Sequence, residues 1–286
     1  TLTNQGIELE VGYKLSVDKV NLSFLANASY VKNEIKNLGN QTGYIDKESL
    51  PTLGTVSRNQ NGYPIGYFFG YKAIGVFQTQ EEIDNYISPA TGKPIQPNAV
   101  PGDTKFEDLN GDGVISDDNE DRTMIGKPNP DWMVGLTVAA DWNGFDLSAF
   151  FQGSFGADVF DALRRYELAA VNYTSDALER RTGPGTSNSM PRIVLGDTPK
   201  NFRPSTLLVH DASFLRLRNL QVGYTLPAQL TRKAYIQRLR FYASFDNLLT
   251  ITGYKGMDPE IGSTMGIDKG VYPQARVYTF GLNLTF

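Results

Sequence analysis

The feature that most constrains this chain is a row of apolar side chains at every second residue, repeated in seven separate segments. Period-two alternation puts successive side chains on opposite faces, which is typical of a β-strand with one apolar and one polar face. In the first segment the apolar row runs from Ile7 to Val17, and Lys14 lies on the other face with two glutamates. The other six segments lie at about 20–30, 132–142, 145–155, 213–226, 239–245 and 278–286.

The connections between these segments alternate strictly between short and long. Asp18–Lys19, Asn143–Gly144 and Pro227–Arg238 are short. Because successive antiparallel strands reverse direction, all short connections lie at one end of the sheet and all long ones at the other. Outer-membrane β-barrels are built in this way, with short periplasmic turns and long external loops. The long connections, taken as external loops, are at about 32–130, 157–211 and 251–275.

Two tryptophans give the predicted sheet a height. Trp132 and Trp142 lie ten residues apart in one apolar row. A strand rises about 3.3 Å per residue, so ten residues tilted by about 45° rise roughly 23 Å. The apolar band between the aromatic girdles of a membrane barrel is about 25 Å tall. The sequence therefore favours a transmembrane barrel, and the alternative is a soluble or surface calcium-binding β-sandwich that binds carbohydrate.

Composition narrows the function. The 286 residues include 27 basic and 31 acidic side chains and no cysteine. Without a basic excess the chain is not expected to bind nucleic acid, and without cysteine it has no disulfide or thiolate metal site. No stretch approaches 18 consecutive apolar residues, so a membrane-spanning helix is excluded.

The fifth segment contains a conflict. Its apolar row would include Arg216 and Arg218, and a charge facing lipid at mid-membrane costs roughly 2–4 kcal/mol. A β-bulge that switches faces, or emergence of the strand above the membrane, would resolve this conflict.

Seven strands leave both edges of a sheet unpaired, which a bilayer does not tolerate. The chain also begins at Thr1 without an initiator methionine. We therefore expect it to be a barrel fragment, whose remaining strands come from residues upstream or from other chains.

The sharpest local motif is a nine-residue run that matches the first nine positions of a calcium loop, D-x-N-x-D-G-x-I-x. Oxygen ligands alternate along such a loop, and Gly113 permits its sharp turn. Asn119 stands where the pattern expects a glutamate, so Glu120 or Asp121 would have to serve. The alternative is a turn rich in Gly and Asp that binds no metal. The predicted ligands of a structural Ca²⁺ are Asp108, Asn110, Asp112, Val114 through its carbonyl, Ser116 and Asp121.

Catalytic constellations find little support. His210 is the only histidine, and no serine nucleophile motif lies near it. No phosphate-binding glycine motif occurs either. The chain is therefore predicted not to be an enzyme. Aromatic residues are common in the long connections, from Tyr63 to Tyr71 and at Tyr86. They suit contacts to sugars or peptides and equally the packing of loops on one another, so no substrate-binding residue is assigned.

Several runs, in order along nearly the whole chain, resemble one family. The first run, 66–72, reads GYFFGYK, and PGD at 101–103 precedes the calcium-like loop. Further on, FLRLRNL at 214–220 and GYTLP at 223–227 follow, and the chain ends at Phe286. These runs resemble the SusC/RagA-type TonB-linked transporters of the Bacteroidota outer membrane.

The resemblance implies that residues 1–286 are the C-terminal part of a TonB-dependent receptor barrel of about 22 strands, with the plug and the N-terminal domains absent from this chain. It implies import of oligosaccharides or peptides through the outer membrane of a Gram-negative, Bacteroidota-like bacterium. The implied partners are a SusD-like surface lipoprotein, the rest of the barrel, the lipid bilayer, and TonB–ExbB–ExbD through the missing N-terminal part. The calcium-like loop of the family matches Asp108, Asn110 and Asp112.

Overall fold

Seven long strands form one antiparallel sheet in the computed structural model, which describes residues 1–117, 120–168, 172–261 and 265–286. The spatial order follows the chain, so each strand pairs with its sequence neighbours and no connection crosses the sheet. This arrangement confirms the predicted all-β fold. The strands are β1 (Leu2–Val17), β2 (Val20–Ile35), β3 (Trp132–Trp142), β4 (Phe145–Phe155), β5 (Phe214–Thr225), β6 (Arg238–Thr252) and β7 (Val277–Thr285).

Three of the strands are longer than their apolar rows. β1 begins at Leu2 instead of Ile7, β2 continues to Ile35, and β6 continues to Thr252. In the added part of β1 and β2 the ladder carries polar pairs, such as Asn33 donating to the Asn4 side chain at 2.6 Å. The hydrogen-bonded ladder therefore runs past the apolar band, where alternation no longer marks it.

The apolar face of this sheet is open along its whole width. Ile7 in β1 is 74% exposed, and Phe280 in β7 is 76% exposed. A β-sandwich would bury these side chains under a second sheet, so the sandwich alternative is wrong for the long strands. An exposed apolar face is what a lipid-facing barrel wall requires.

A bulge in β5 resolves the conflict at the two arginines. Phe150 pairs with Asn219, but its neighbour Phe151 pairs with Leu217, so Arg218 is an extra residue. The extra residue switches the faces of β5. Leu217 therefore continues the apolar row, and Arg216 lies on the polar face. Of the two explanations that the sequence left open, a bulge or emergence of the strand above the membrane, the structure shows the bulge.

The β6 strand adapts to the same irregularity. Asn219 pairs with Asp246 and Leu217 pairs with Leu249, so β6 has its own irregularity opposite Arg218. Asn247 lies there with a φ of 53°, a left-handed conformation that asparagine tolerates better than most residues.

The described parts of the three long connections, 36–131, 156–213 and 253–276, fold together into a unit that we term the loop module. Its buried core takes Phe68 from the first connection, Phe160 from the second and Ile267 from the third. Short strands build it in four small sheets. These strands are Tyr44–Asp46, Ser49–Leu50, Gly54–Thr55, Ser57–Gln60, Tyr67–Tyr71, Ala73–Val76, Thr104–Phe106, Arg122–Gly126, Asp158–Asp161, Val209–Asp211 and Ile267–Asp268.

Helices are few and short. Helix α1 (Gln80–Asp84) begins after Thr79, whose side chain accepts a hydrogen bond from the Glu82 amide at 3.2 Å. Helix α2 (Ala228–Thr231) lies in the short connection between β5 and β6. Among the described residues, no helix has the length and apolar character needed to cross a membrane. The 3-10 helices are Ser175–Glu179, Leu195–Asp197, Thr206–Leu208 and Arg232–Ala234.

Candidate functional site

A cluster of charged side chains joins the polar face of the sheet to the third connection. Arg216 of β5 is only 2% exposed, and it donates to Asp258 at 2.6 Å and to Glu260 at 3.1 Å. Arg218 donates to both carboxylate oxygens of Glu260, each at 2.6 Å, and to the Gln152 side chain of β4. The cluster lies where β5 emerges from a long connection, which is the loop-bearing end of the sheet.

Asp258 is the centre of this cluster. Besides Arg216, it accepts hydrogen bonds from the backbone amides of Glu260 and Gln274, each at 2.9 Å. Burial raises the pKa of this carboxyl, but the two amides and the Arg216 guanidinium outweigh burial and hold the pKa below its usual range. Asp258 is therefore ionised at neutral pH, and both ends of the third connection are tied to it.

A second arginine cluster lies on the same polar face near the end with short connections. Arg240 of β6 binds Asp146 of β4 through two nitrogens, at 2.8 and 2.5 Å, and also donates to Gln221 of β5. Gly223 makes room for this guanidinium, since a Cβ there would approach it within about 2.5 Å. Among the residues that the structure describes, the hydrogen-bond partners of Arg240 lie in other long strands and not in a long connection.

Cations and aromatic rings alternate through the loop module. The Arg58 guanidinium lies 3.6 Å from the Phe69 ring centre and 4.1 Å from that of Tyr44. The Arg122 guanidinium lies 4.3 Å from the ring centre of Phe69, and the Arg203 guanidinium lies 4.8 Å from the ring centre of Tyr71. Such contacts each stabilise by roughly 0.5–2 kcal/mol. The series in full is Tyr44, Arg58, Phe69, Arg122, Tyr71, Arg203 and Phe106.

Most of the aromatic residues considered as ligand contacts are therefore structural. Tyr67, Phe68, Phe69 and Tyr71 form one strand of the module, together with Gly70, and all four aromatic residues are buried. Gly70 carries no side chain because Pro204 of the second connection lies against it. The packing interpretation holds for this strand.

The calcium-like loop closes on itself through its own side chains. Asp108 accepts from the amides of Gly111 at 2.8 Å and Gly113 at 2.9 Å. Asn110 accepts from the Asp112 amide at 3.0 Å, and Asp112 accepts from the Val114 amide at 2.8 Å. These bonds bring the first, third and fifth positions of the motif around one turn, as the sequence pattern requires.

Two of the remaining predicted ligands, Ser116 and Asp121, also form hydrogen bonds within the loop module. Asp121 is buried and accepts from the amides of Leu109 and Ser116, at 3.1 and 3.0 Å, so it fastens the two ends of the loop. The Ser116 carbonyl accepts from the Tyr71 hydroxyl at 2.7 Å. The Asn110 amide donates to Glu120 at 2.9 Å, which places Glu120 beside the first ligands.

Metal binding stays a prediction. Within residues 1–117, 120–168, 172–261 and 265–286, no group of three or more His, Cys, Asp or Glu side chains is arranged to hold a metal ion. Asn119, where the motif lacks its glutamate, lies outside the described residues.

His210 lies in the wall of a cavity of about 320 Å³ between the second and third connections, together with Arg164 and Lys255. Its Nε2 lies 3.7 Å from an Asp161 oxygen, too far for a hydrogen bond. Burial lowers the pKa of His210, so the ring is neutral at pH 7.

Comparison with known proteins gives a consistent result, although no family model matches the chain. The chain is 34% identical to TonB-dependent receptor P3 of Formosa agariphila over 79% of its own length and 23% of that receptor. It is 30% identical to TonB-dependent receptor SusC of Bacteroides thetaiotaomicron over its full length and 26% of that protein. These relatives are receptors and not enzymes.

Solved structures agree with the sequence relatives. The whole chain superposes on 29% of a chain in the RagAB peptide transporter with a TM-score of 0.75 and 26% identity. The RagAB peptide importer in its open-open state gives a TM-score of 0.74 and 25% identity, again over 29% of that chain. The protein thus spans less than a third of the length of the relatives that it matches.

Proposed function

Since the chain belongs to the TonB-dependent receptors of the SusC/RagA type, we propose that it supplies part of the barrel wall and external loops of an outer-membrane nutrient importer. The carrying observation is the sheet itself. Seven adjacent strands expose an apolar face and turn a polar, charge-bearing face to the other side. A wall between lipid and a water-filled lumen has these two faces.

The proposed cargo is a short peptide or an oligosaccharide. The superposed structures are described as a peptide importer and transporter, which supports peptides. The proposed route runs from a SusD-like surface lipoprotein over the loop module, through the lumen, with energy supplied by TonB. The matching transporter, RagAB, bears a name of two components, which supports a partner protein for the receptor.

Purification of the whole receptor tests both parts. The full-length protein, tagged and extracted from outer membranes in detergent, should carry a surface lipoprotein through size exclusion. Cells that express it should deplete tryptone peptides or a starch oligosaccharide mixture from the medium, and cells without it should not. Recovery of the receptor from the soluble fraction without detergent would contradict the proposal.

The calcium-like loop is proposed to bind Ca²⁺ as a brace for the first connection. The carboxylates of Asp108 and Asp112 are hard oxygen ligands of the type that Ca²⁺ takes. Backbone amides of the loop already donate hydrogen bonds to both side chains and hold them in one turn. Replacing both by asparagine should lower the calcium content of the purified receptor. Asp117→Asn is the control, because Asp117 pairs with Lys200 outside the wrapped turn. Unchanged calcium content in the double variant would refute the brace.

A further inference from the structure

We propose that Arg216 and Arg218 are positioning residues, which fix the third connection (253–276) to the inner wall at the mouth of the barrel. They act through Asp258 and Glu260, and four charge-assisted contacts of 2.6–3.1 Å join the two pairs. The β5 bulge is the device that turns both arginines toward the lumen.

The third connection links the wall to the loop module. Near its start it holds the arginines, and further along Ile267 is fully buried in the core of the module. The short strand Ile267–Asp268 also pairs in parallel with the strand Asp158–Asp161. Tyr254, at the start of this connection, donates to Asp268 at 2.6 Å. The third connection is therefore attached at two places, to the barrel wall through the arginine cluster and to the core of the loop module through Ile267.

The chemistry of the cluster suits a positional role better than a stabilising one. A buried ion pair is often no more stable than apolar side chains of similar volume, but losing one partner is costly. The hydrogen-bonding capacity of Arg216 is not fully used, since its Nε is buried without a hydrogen-bond partner in the described part of the chain. What the guanidinium supplies is direction, because its planar fork binds two carboxylates at fixed angles.

The third connection also shapes a cavity. Gly253 and Lys255 line the 320 Å³ space that His210 and Arg164 line from the second connection. If the ion pairs of the cluster break, we expect the Gly253 and Lys255 side of the cavity to move away from the His210 and Arg164 side. The importance of this movement for transport rests on the proposed importer function, in which the loop module contacts the cargo.

Limited trypsin digestion of the full-length receptor in detergent tests the fixing directly. Lys255 is exposed but lies between buried Tyr254 and buried Asp258. Cleavage after Lys255 requires local opening, and its rate follows the population of the open form. The Arg216→Met variant should be cut at Lys255 at least about tenfold faster than the wild type.

A matched variant separates positioning from general damage to the wall. Arg240→Met removes another arginine of the same polar face, whose ion pair is with Asp146 of the neighbouring wall. It should leave cleavage at Lys255 unchanged. Retained heat-modifiable migration on gels confirms that each barrel is assembled.

Two results would overturn the inference: no acceleration in Arg216→Met, or equal acceleration in Arg240→Met. Uptake of tryptone peptides, measured in the same strains, is a separate readout. A wild type without uptake would contradict the importer function and leave the cleavage result standing. Normal uptake with unchanged cleavage in Arg216→Met would reject the positioning role alone.

Discussion

The orientation of the sheet makes a quantitative prediction about charge in β3. Leu136 lies in the row that begins at Trp132 and ends at Trp142. With a rise of about 3.3 Å per residue and a tilt of about 45°, each residue changes depth by about 2.3 Å. Leu136 is then about 9 Å from the level of Trp132 and about 14 Å from that of Trp142. It lies close to the middle of the bilayer.

An arginine at Leu136 should therefore destabilise the folded barrel by roughly 2–4 kcal/mol, a factor of about 30 to 700 in its unfolding equilibrium. Thr137→Arg is the matched control at almost the same depth. Its side chain points to the lumen, where water solvates the charge, so we expect a cost below about 1 kcal/mol. Val134→Arg, about 5 Å from the level of Trp132, should fall between the two.

The measurement is denaturant unfolding of the full-length receptor from phospholipid vesicles, followed by tryptophan fluorescence. The amount of heat-modifiable barrel in outer membranes gives a second readout. Equal costs for Leu136→Arg and Thr137→Arg would show that the two faces are equally wet, and the assignment of the apolar row to lipid would be wrong.

Three other substitutions test the loop module. Phe160→Ala removes a fully buried ring packed on Phe68 and should cost roughly 3–5 kcal/mol, seen as faster hydrogen exchange in Tyr67–Tyr71 with barrel assembly unchanged. Arg58→Met removes two ring contacts and should cost roughly 1–2 kcal/mol in the same exchange assay. Burial lowers the pKa of His210 below 6.5, so the unfolded segment takes up the proton first as pH falls, and the stability of the module should fall below about pH 6.5. Hydrogen exchange at Val209–Asp211 should become faster at low pH in the wild type, and this pH dependence should be absent in His210→Gln.

The strands could be predicted because their physical cause is local. A wall with one face in lipid needs an apolar residue at every second position, and that requirement is written in consecutive residues. It fails only where lipid ends, which is why the polar upper part of β1 and β2, with Asn4 and Asn33, escaped the pattern.

The loop module could not be predicted in the same way. Its strands have two to five residues, too few for a period to appear. Its core joins Val56, Phe160 and Ile267, which are far apart in the chain. The aromatic run at 67–71 signalled packing or ligand contact equally, and only burial separates these alternatives.

The partners of the two arginines were hidden for a similar reason. In each contacting pair the arginine and its carboxylate lie 42 or 44 residues apart in the chain, and many acidic residues could have served as the partner. What the sequence did contain was the conflict, two charges in a row that otherwise faces lipid.

That conflict has a definite meaning in this fold. Without the bulge, both arginines of β5 would face hydrocarbon at a cost of several kcal/mol, and Leu215 and Leu217 would face the lumen. One extra residue at Arg218 corrects all four side chains at once, since a shift of one residue exchanges the faces of a strand. A bulge that served only to avoid the membrane would need no carboxylates above it. Here the redirected guanidinium of Arg216 meets Asp258 and Glu260 of the third connection, so the irregularity that interrupts the apolar row is also the point where the barrel wall holds its loops.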